Sequence, residues 1–286
     1  MQCLLFLWLL SYVAHSSVKG HETAITVGRR YHQNVVSIRT TRHIRSWGDN
    51  HFCVGSIVAT RWVLTTGCCV STLPKSTPNQ ATSRRNLRVV VFAQRRLMKP
   101  PPRNIFKVDE VVLDTESDVG CSNLAMLKLN RAVTGDRFAV HLPHNEMNST
   151  WLCQTVGWGR IYYNGPYVNE LLQLKSQRSS TTACKEYCSK CICMGSYSGR
   201  GNMCQMDMGS PLYCGHYIYG VAGKSHHCED QNILVYSSIY HHRDFIESTL
   251  SAAHSQRKSK RDLIVLALML NWFWTACFGW LLEQLK

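Results

Sequence analysis

Between Ile25 and about Leu250 the chain is written in short alternating or β-branched runs, and turn-forming residues break each of them. Asn34 to Ile38, Gly55 to Thr65, Leu87 to Ala93, Val111 to Leu113 and Tyr217 to Ala222 are examples. Short strands with polar breaks predict an all-β barrel or sandwich. The length of 286 residues agrees, because one such domain takes about 200–250 residues and leaves only terminal segments over. One late stretch changes period. In Ser238 to Leu250, Ile239, Phe245, Ile246 and Leu250 approximate helical spacing, so a single C-terminal helix is expected. No repeat of fixed period is visible, and Pro100-Pro101-Pro102 reads as a stiff surface connection.

Fourteen cysteines exclude an ordinary cytosolic enzyme unless they bind metal. The N-terminus points to the secretory pathway. Leu4 to Val13 is almost wholly apolar, too short to span a bilayer, and Ala14-His15-Ser16 offers small residues for cleavage. Residues 1–16 therefore read as a signal peptide rather than a buried first helix. At the other end, a polar basic spacer over 251–262 precedes Leu263 to Leu282, twenty residues broken only by Asn271 and Thr275. As a helix, that run is long enough to cross a hydrocarbon core.

Four readings of this tail compete. Ser251-Ala252-Ala253 suits attachment of a GPI anchor, with the apolar tail removed. A true transmembrane helix would leave Arg257, Lys258, Lys260 and Arg261 outside the cell, against the positive-inside tendency. Lys258-Ser259-Lys260-Arg261 could instead be a processing site. A helix packed on the domain is disfavoured, because Trp272, Phe273, Trp274, Phe278 and Trp280 leave no polar face.

His51-Phe52-Cys53-Val54-Gly55-Ser56-Ile57-Val58, followed by Arg61-Trp62-Val63-Leu64-Thr65, resembles the opening of a trypsin-like (chymotrypsin-fold) serine protease domain. Further motifs follow in the family's order. Leu124 to Leu129 resembles the strand after the catalytic aspartate, and Val156-Gly157-Trp158-Gly159 the central turn. Cys204 to Leu212 resembles the nucleophile loop, and Tyr219-Gly220-Val221 with Val235-Tyr236 the last strands. The resemblance covers 25–250. It implies two perpendicular six-stranded antiparallel β-barrels with a site in the cleft between them. It also implies four disulfides, Cys53–Cys69, Cys153–Cys214, Cys184–Cys193 and Cys204–Cys228. The third is short for the family, with Cys188 and Cys191 inserted beside it. A zinc site at Cys188-x-x-Cys191 has the right local spacing but no second half, and a secreted context favours disulfides.

The family's chemistry needs a serine nucleophile, a histidine base and an aspartate that orients the base. The resemblance places Cys68 at the histidine, Asn123 at the aspartate and Met208 at the serine. A thiol is no substitute for the imidazole, Asn cannot stabilise an imidazolium, and a thioether has no proton to give. The resemblance also puts Met206 and Ser210 where the family has glycines around the oxyanion hole. Asn202 stands at the floor of the specificity pocket, where it cannot pair a substrate cation as a carboxylate can. Gly223-Lys224-Ser225 replaces Ser-Trp-Gly on the substrate-binding strand. Asp207, the partner of the amine released by activation, survives, but no basic residue precedes Ile25 to be cut after.

Outside that frame, the pairs His226-His227 and His241-His242 read as surface polar residues and poor chelates, and no metal or other cofactor is expected. Asn148-Ser149-Thr150 is a glycosylation acceptor. Lys and Arg number 32 against 18 Asp and Glu, a formal charge of +14 that favours anionic partners. Arg84, Arg85, Arg88, Arg95, Arg96, Lys99 and Arg103 gather around one strand, either as a solvated face or as a site for a sulfated glycan or an anionic lipid surface. Secretion argues against nucleic acid.

These residues are read as a catalytically inactive homologue, extracellular or tethered to the cell surface. It would act by binding a protein such as a protease, an inhibitor or a receptor. The rival readings are an active hydrolase using other groups, with Cys68 as the odd nucleophile, and a basic glycan-binding protein. Beyond the family pairs, Cys68, Cys121, Cys188 and Cys191 are left over within the domain. Cys68 and Cys121 are expected to bridge across the base–orienter position. The alternatives are two free thiols and Cys68 displacing Cys69 as partner of Cys53.

Overall fold

The computed structural model describes residues 25–26, 33–71, 86–114, 123–135, 140–159, 168–179, 189–196, 208–223 and 233–252, with 255, 262, 268 and 269. The signal segment 1–16 and all of the tail 263–282 except Leu268 and Met269 lie outside them. Among the described residues, no helix is long and apolar enough to cross a membrane.

Six strands close the first barrel: β2 (Val35–Thr40), β3 (His51–Ala59), β4 (Trp62–Thr66), β5 (Leu87–Val91), β6 (Ile105–Leu113) and β7 (Leu124–Leu129). They pair antiparallel in the order β2-β3-β4-β7-β6-β5, and β5 returns to β2. The second barrel holds β8 (Leu152–Gly157), β9 (Leu172–Arg178), β10 (Cys191–Ser196), β11 (Pro211–Cys214), β12 (Tyr217–Ala222) and β13 (Ile233–Ser238). Its order is β9-β10-β13-β12-β11-β8, and the β8–β9 pairing closes the ring. A short strand, β1 (Ile25–Thr26), adds to the β9 edge. Helix α1 (Cys68–Ser71) caps β4, and a C-terminal helix, α2, spans 243–252.

Period-two alternation explains why both barrels have cores and also pack on each other. In β7, Ala125, Leu127 and Leu129 fill the first barrel, while Leu124 and Met126 face the second. β4 does the same with Val63 inward and Trp62 and Leu64 outward. A strand buried on both faces reads as an unbroken apolar run. Trp158, Tyr213, Ile218 and Val221 come from the second barrel to meet this face, and Ile246 of α2 joins them. Inside the second barrel sit Leu174, Met194, Leu212, Leu234 and Tyr236.

Several sequence expectations need correcting. Gly55 to Thr65 is not one run but parts of β3 and β4, with a turn at Thr60-Arg61. Val111 to Leu113 is the end of the nine-residue β6, whose exposed and half-buried positions hid its length. The β5 run stops at Val91 because Phe92 turns the chain with φ +58°. The proline run leads into a single 3₁₀ turn, Pro102–Asn104. The helix begins at 243, not 238, since Ser238 ends β13 and residues 239–242 form a turn in which the His242 N–H donates to Ser238 O at 3.2 Å.

Candidate functional site

The three positions of interest converge where the barrels meet. Strands β4 and β7 pair Thr66 with Leu124, so Asn123 and Gly67 face each other at the strand ends. The Gly67 N–H donates to Asn123 O at 2.6 Å, and Thr66 Oγ1 donates to the same oxygen at 3.2 Å. The next residue, Cys68, opens α1 and is buried. Cys69 is bridged to Cys53 on β3, S–S 2.01 Å. From the second barrel, Met208 O accepts the Val54 N–H at 2.8 Å. The half-buried Met208 side chain packs on the first barrel's core.

Gly209 makes that junction possible. Its φ is +83°, and a Cβ there would lie 2.0 Å from Val54 O and 2.3 Å from Thr65 Oγ1. Thr65 Oγ1 donates to Val54 O at 2.7 Å, so the corner is both crowded and hydrogen-bonded. Toward the second barrel, the Gly209 N–H donates to Ala222 O and the Ala222 N–H to Ser210 O, both at 2.8 Å.

Cys68 is disulfide-bonded. Its sulfur is therefore neither a thiolate nor a proton acceptor. The bond also removes the free-thiol alternative, and the Cys53–Cys69 bridge removes the one in which Cys68 takes Cys69's place. No described cysteine is its partner, so the partner is among those outside the described residues. Cys153–Cys214 is formed as the resemblance implied, S–S 2.03 Å. Cys191 and Cys193 are both oxidised, and their partners also lie outside the described residues. An oxidised Cys191 has no thiolate for a zinc site with Cys188. Cys121, Cys184, Cys188, Asn202, Cys204, Met206, Asp207, Lys224, Ser225 and Cys228 lie outside the described residues. Gly223, which the resemblance puts on a substrate-binding strand, is described, and its N–H donates to Val235 O at 3.3 Å.

Two features escaped the sequence reading. His242 is not a surface residue: it is buried, and its Nδ1 meets Asp114 Oδ2 at 2.5 Å. Burial pushes its pKa below the usual imidazole value, against the opposing pull of Asp114. Its neighbour His241 does sit outward, 3.4 Å from Glu146. The second feature breaks up the basic stretch. Arg96 is buried and donates to Gly48 O at 3.0 Å, and Arg95 pairs with Glu170 at 3.1 Å. Arg39, also buried, donates to Arg96 O at 2.9 Å. Burial first, and the Arg96 charge second, lower the Arg39 pKa to about 10. No run of cations marks such a pair, because the carbonyls that accept from it come from distant turns.

Similarity to known proteins follows the same outline. The family model for trypsin matches residues 19–246. Human trypsin-3 is 24% identical over 217 residues, covering 71% of this chain and 66% of its own. Cationic trypsin-3 of Rattus norvegicus is 24% identical over 266 residues, covering 88% of this chain and 100% of its own. Coagulation factor XI of Bos taurus is 25% identical over 223 residues, 72% of this chain, which spans only 34% of that protein.

Proposed function

Since the chain belongs to the trypsin family, we propose that it is a member that keeps the fold for binding and has lost the chemistry. The observation that carries this reading is the oxidised state of Cys68. The residue in the base position is tied into a disulfide, so neither histidine-like base catalysis nor a cysteine nucleophile is available there. Met208 supplies a thioether packed on the core in place of a hydroxyl. Asn123 has its backbone carbonyl engaged by Gly67 and Thr66, and its side chain carries no charge to orient a base. Losing one triad member typically costs about 10⁴ in rate; here all three roles are vacant.

The disulfides support an oxidising compartment, hence the secretory pathway and an extracellular or surface-tethered protein. Its partner is then an extracellular protein rather than a nucleic acid. The glycan reading is weakened by the burial of Arg96 and the pairing of Arg95.

The test is labelling of the purified full-length protein with a serine-directed fluorophosphonate, together with hydrolysis of peptide ester and amide libraries. Neither reaction is expected. Stoichiometric labelling, or hydrolysis that tracks with the protein through repurification, would reject the inactive reading.

A further inference from the structure

We propose that Ile44, Leu97 and Met98, framed by Arg42, Arg45 and Lys99, form a docking surface for an extended protein segment that carries carboxylates beside apolar side chains. Ile44 is 80% exposed, Met98 59% and Leu97 42%. One such residue on a surface needs no explanation. Three of them stand here on two loops that are joined where Arg96 donates to Gly48 O.

The first loop, 41–50, is built around Asp49. Its carboxylate accepts the N–H groups of Ile44 at 2.8 Å, Arg45 at 2.5 Å and Ser46 at 2.8 Å. Those bonds, Ser46's first, hold its pKa down at about 2. The loop's base is shut by Asn50 Nδ2 donating to Thr40 O at 2.6 Å. In the second loop, the Leu97 N–H donates to Asn169 Oδ1 at 2.8 Å and the Arg96 N–H to Asn169 O at 2.7 Å. Gly48 joins the two. Its φ is +91°, and a Cβ there would lie 2.0 Å from Arg96 O. Lys99 Nζ reaches over the Trp47 ring at 5.8 Å, with Arg39 also on that ring at 5.7 Å. A backbone that is hydrogen-bonded at this many points has less freedom left to lose when a partner binds.

The charge of the patch selects the partner. Asp49 is the only carboxylate in 41–50, and backbone N–H groups already occupy both of its oxygens. Glu170 is paired with Arg95. Arg42, Arg45 and Lys99 have no carboxylate partner among the described residues, so an incoming acidic group meets unneutralised cations. A sulfated glycan would use the cations and leave the three apolar side chains in water. An anionic membrane would use both, but anionic lipid is concentrated in the cytoplasmic leaflet, which a secreted chain does not face. A protein segment with both side-chain types uses the whole surface. This gives the proposed binding role a location and rests on that reading only for the secreted setting.

The test is selection of a phage-displayed random 12-residue library on the full-length protein, at low and at physiological salt. Enriched peptides are expected to combine Asp or Glu with aliphatic or aromatic residues. Their affinity should fall at least tenfold with Ile44→Ser/Met98→Ser and with Arg42→Glu/Arg45→Glu, and fall with salt only through the second pair. All four side chains are exposed enough for both variants to fold, which thermal melting checks. No enrichment, or peptides indifferent to both variants, overturns the proposal. So does tight binding of a heparin oligosaccharide unaffected by Ile44→Ser/Met98→Ser, or capture by phosphatidylserine vesicles in preference to peptide. Fluorophosphonate labelling is a separate readout: its outcome leaves this one unchanged, so failure of either reading is recognised by itself.

Discussion

His242 Nδ1 and Asp114 Oδ2 lie 2.5 Å apart with both side chains buried, and they join the two barrels at a point 128 residues apart in sequence. Asp114 follows β6 of the first barrel directly, its N–H donating to Leu124 O at 3.0 Å. His242 sits in the turn that starts α2. Removing the imidazole takes one partner from a buried carboxylate. His242→Ala is expected to cost about 2 kcal/mol, the scale for losing a buried hydrogen bond to a charged group. Denaturant midpoints measure this, and a double mutant with Asp114→Ala should cost less than the two single changes added.

The same pair sets a pH dependence. Burial lowers the folded pKa of His242, and Lys190 and His241 add to that, while Asp114 opposes it. The unfolded imidazole, with a pKa of about 6.5, therefore takes up protons before the folded one does. The contribution is fully present above that value and is lost as pH falls below it. The melting temperature should drop between pH 7 and pH 5, and the drop should shrink in a His242→Phe/Asp114→Leu variant, which lacks the imidazole and the carboxylate it meets. An unchanged slope in that variant would assign the acid sensitivity to other groups.

Cys68 is expected to be joined to Cys121. Gly67 is hydrogen-bonded to Asn123, and Cys121 is two residues from Asn123, which in extended chain places both side chains on the same side. Closing that loop of about 54 residues is worth about 4 kcal/mol in the chain-entropy picture. Peptide mapping under non-reducing conditions should find the cross-linked pair. A link from Cys68 to any other cysteine rejects it.

What was legible in the sequence was local or carried by motifs. Leu124 to Leu129 and Tyr217 to Ala222 are the strands read from the sequence, and Cys53–Cys69 and Cys153–Cys214 are pairs that the motifs placed. What was not legible depends on distant chain meeting. Nothing in Tyr240-His241-His242 says which imidazole turns inward, because the answer lies in Asp114. Arg39 and Arg96 look like solvated cations until Gly48 and its loop supply a carbonyl and a wall. At the site, the identities of Cys68, Asn123 and Met208 were readable, but the oxidation of Cys68 needed the fold.

Asn148 should carry an N-linked glycan if the chain passes through the secretory pathway. The acceptor is exposed, and Thr150 Oγ1 donates to its Oδ1 at 2.9 Å, a bond to the amide oxygen and not to the nitrogen that would carry the glycan. A mobility shift on amidase treatment, abolished by Asn148→Gln, is the expected result. The same cells test the tail. Phosphatidylinositol-specific phospholipase C should release a GPI-anchored form, retention after the lipase would favour a helix from Leu263 to Leu282, and release by carbonate alone rejects both.

The last prediction separates framework from chemistry within one corner. Gly209 and Met208 are adjacent, but they do different things. Gly209 holds φ +83° with Val54 O and Thr65 Oγ1 inside the space a Cβ would need. Gly209→Ala must either break the Val54–Thr65 contact or pull the second barrel's Gly209–Ala222 bond out of line. Both the positive φ and the clash with backbone raise the cost, to about 3 kcal/mol or more. Met208 contributes only a half-buried thioether to the first barrel's core. Met208→Ser should therefore cost about 1 kcal/mol, a fraction of what a fully buried Met is worth. It should also confer no hydrolysis, because Cys68, being oxidised, offers a serine hydroxyl no base to take its proton. Denaturant unfolding of the two variants reads the order directly. If Met208→Ser proves the more damaging, or gains fluorophosphonate reactivity, the corner is still organised for catalysis rather than for holding the barrels together.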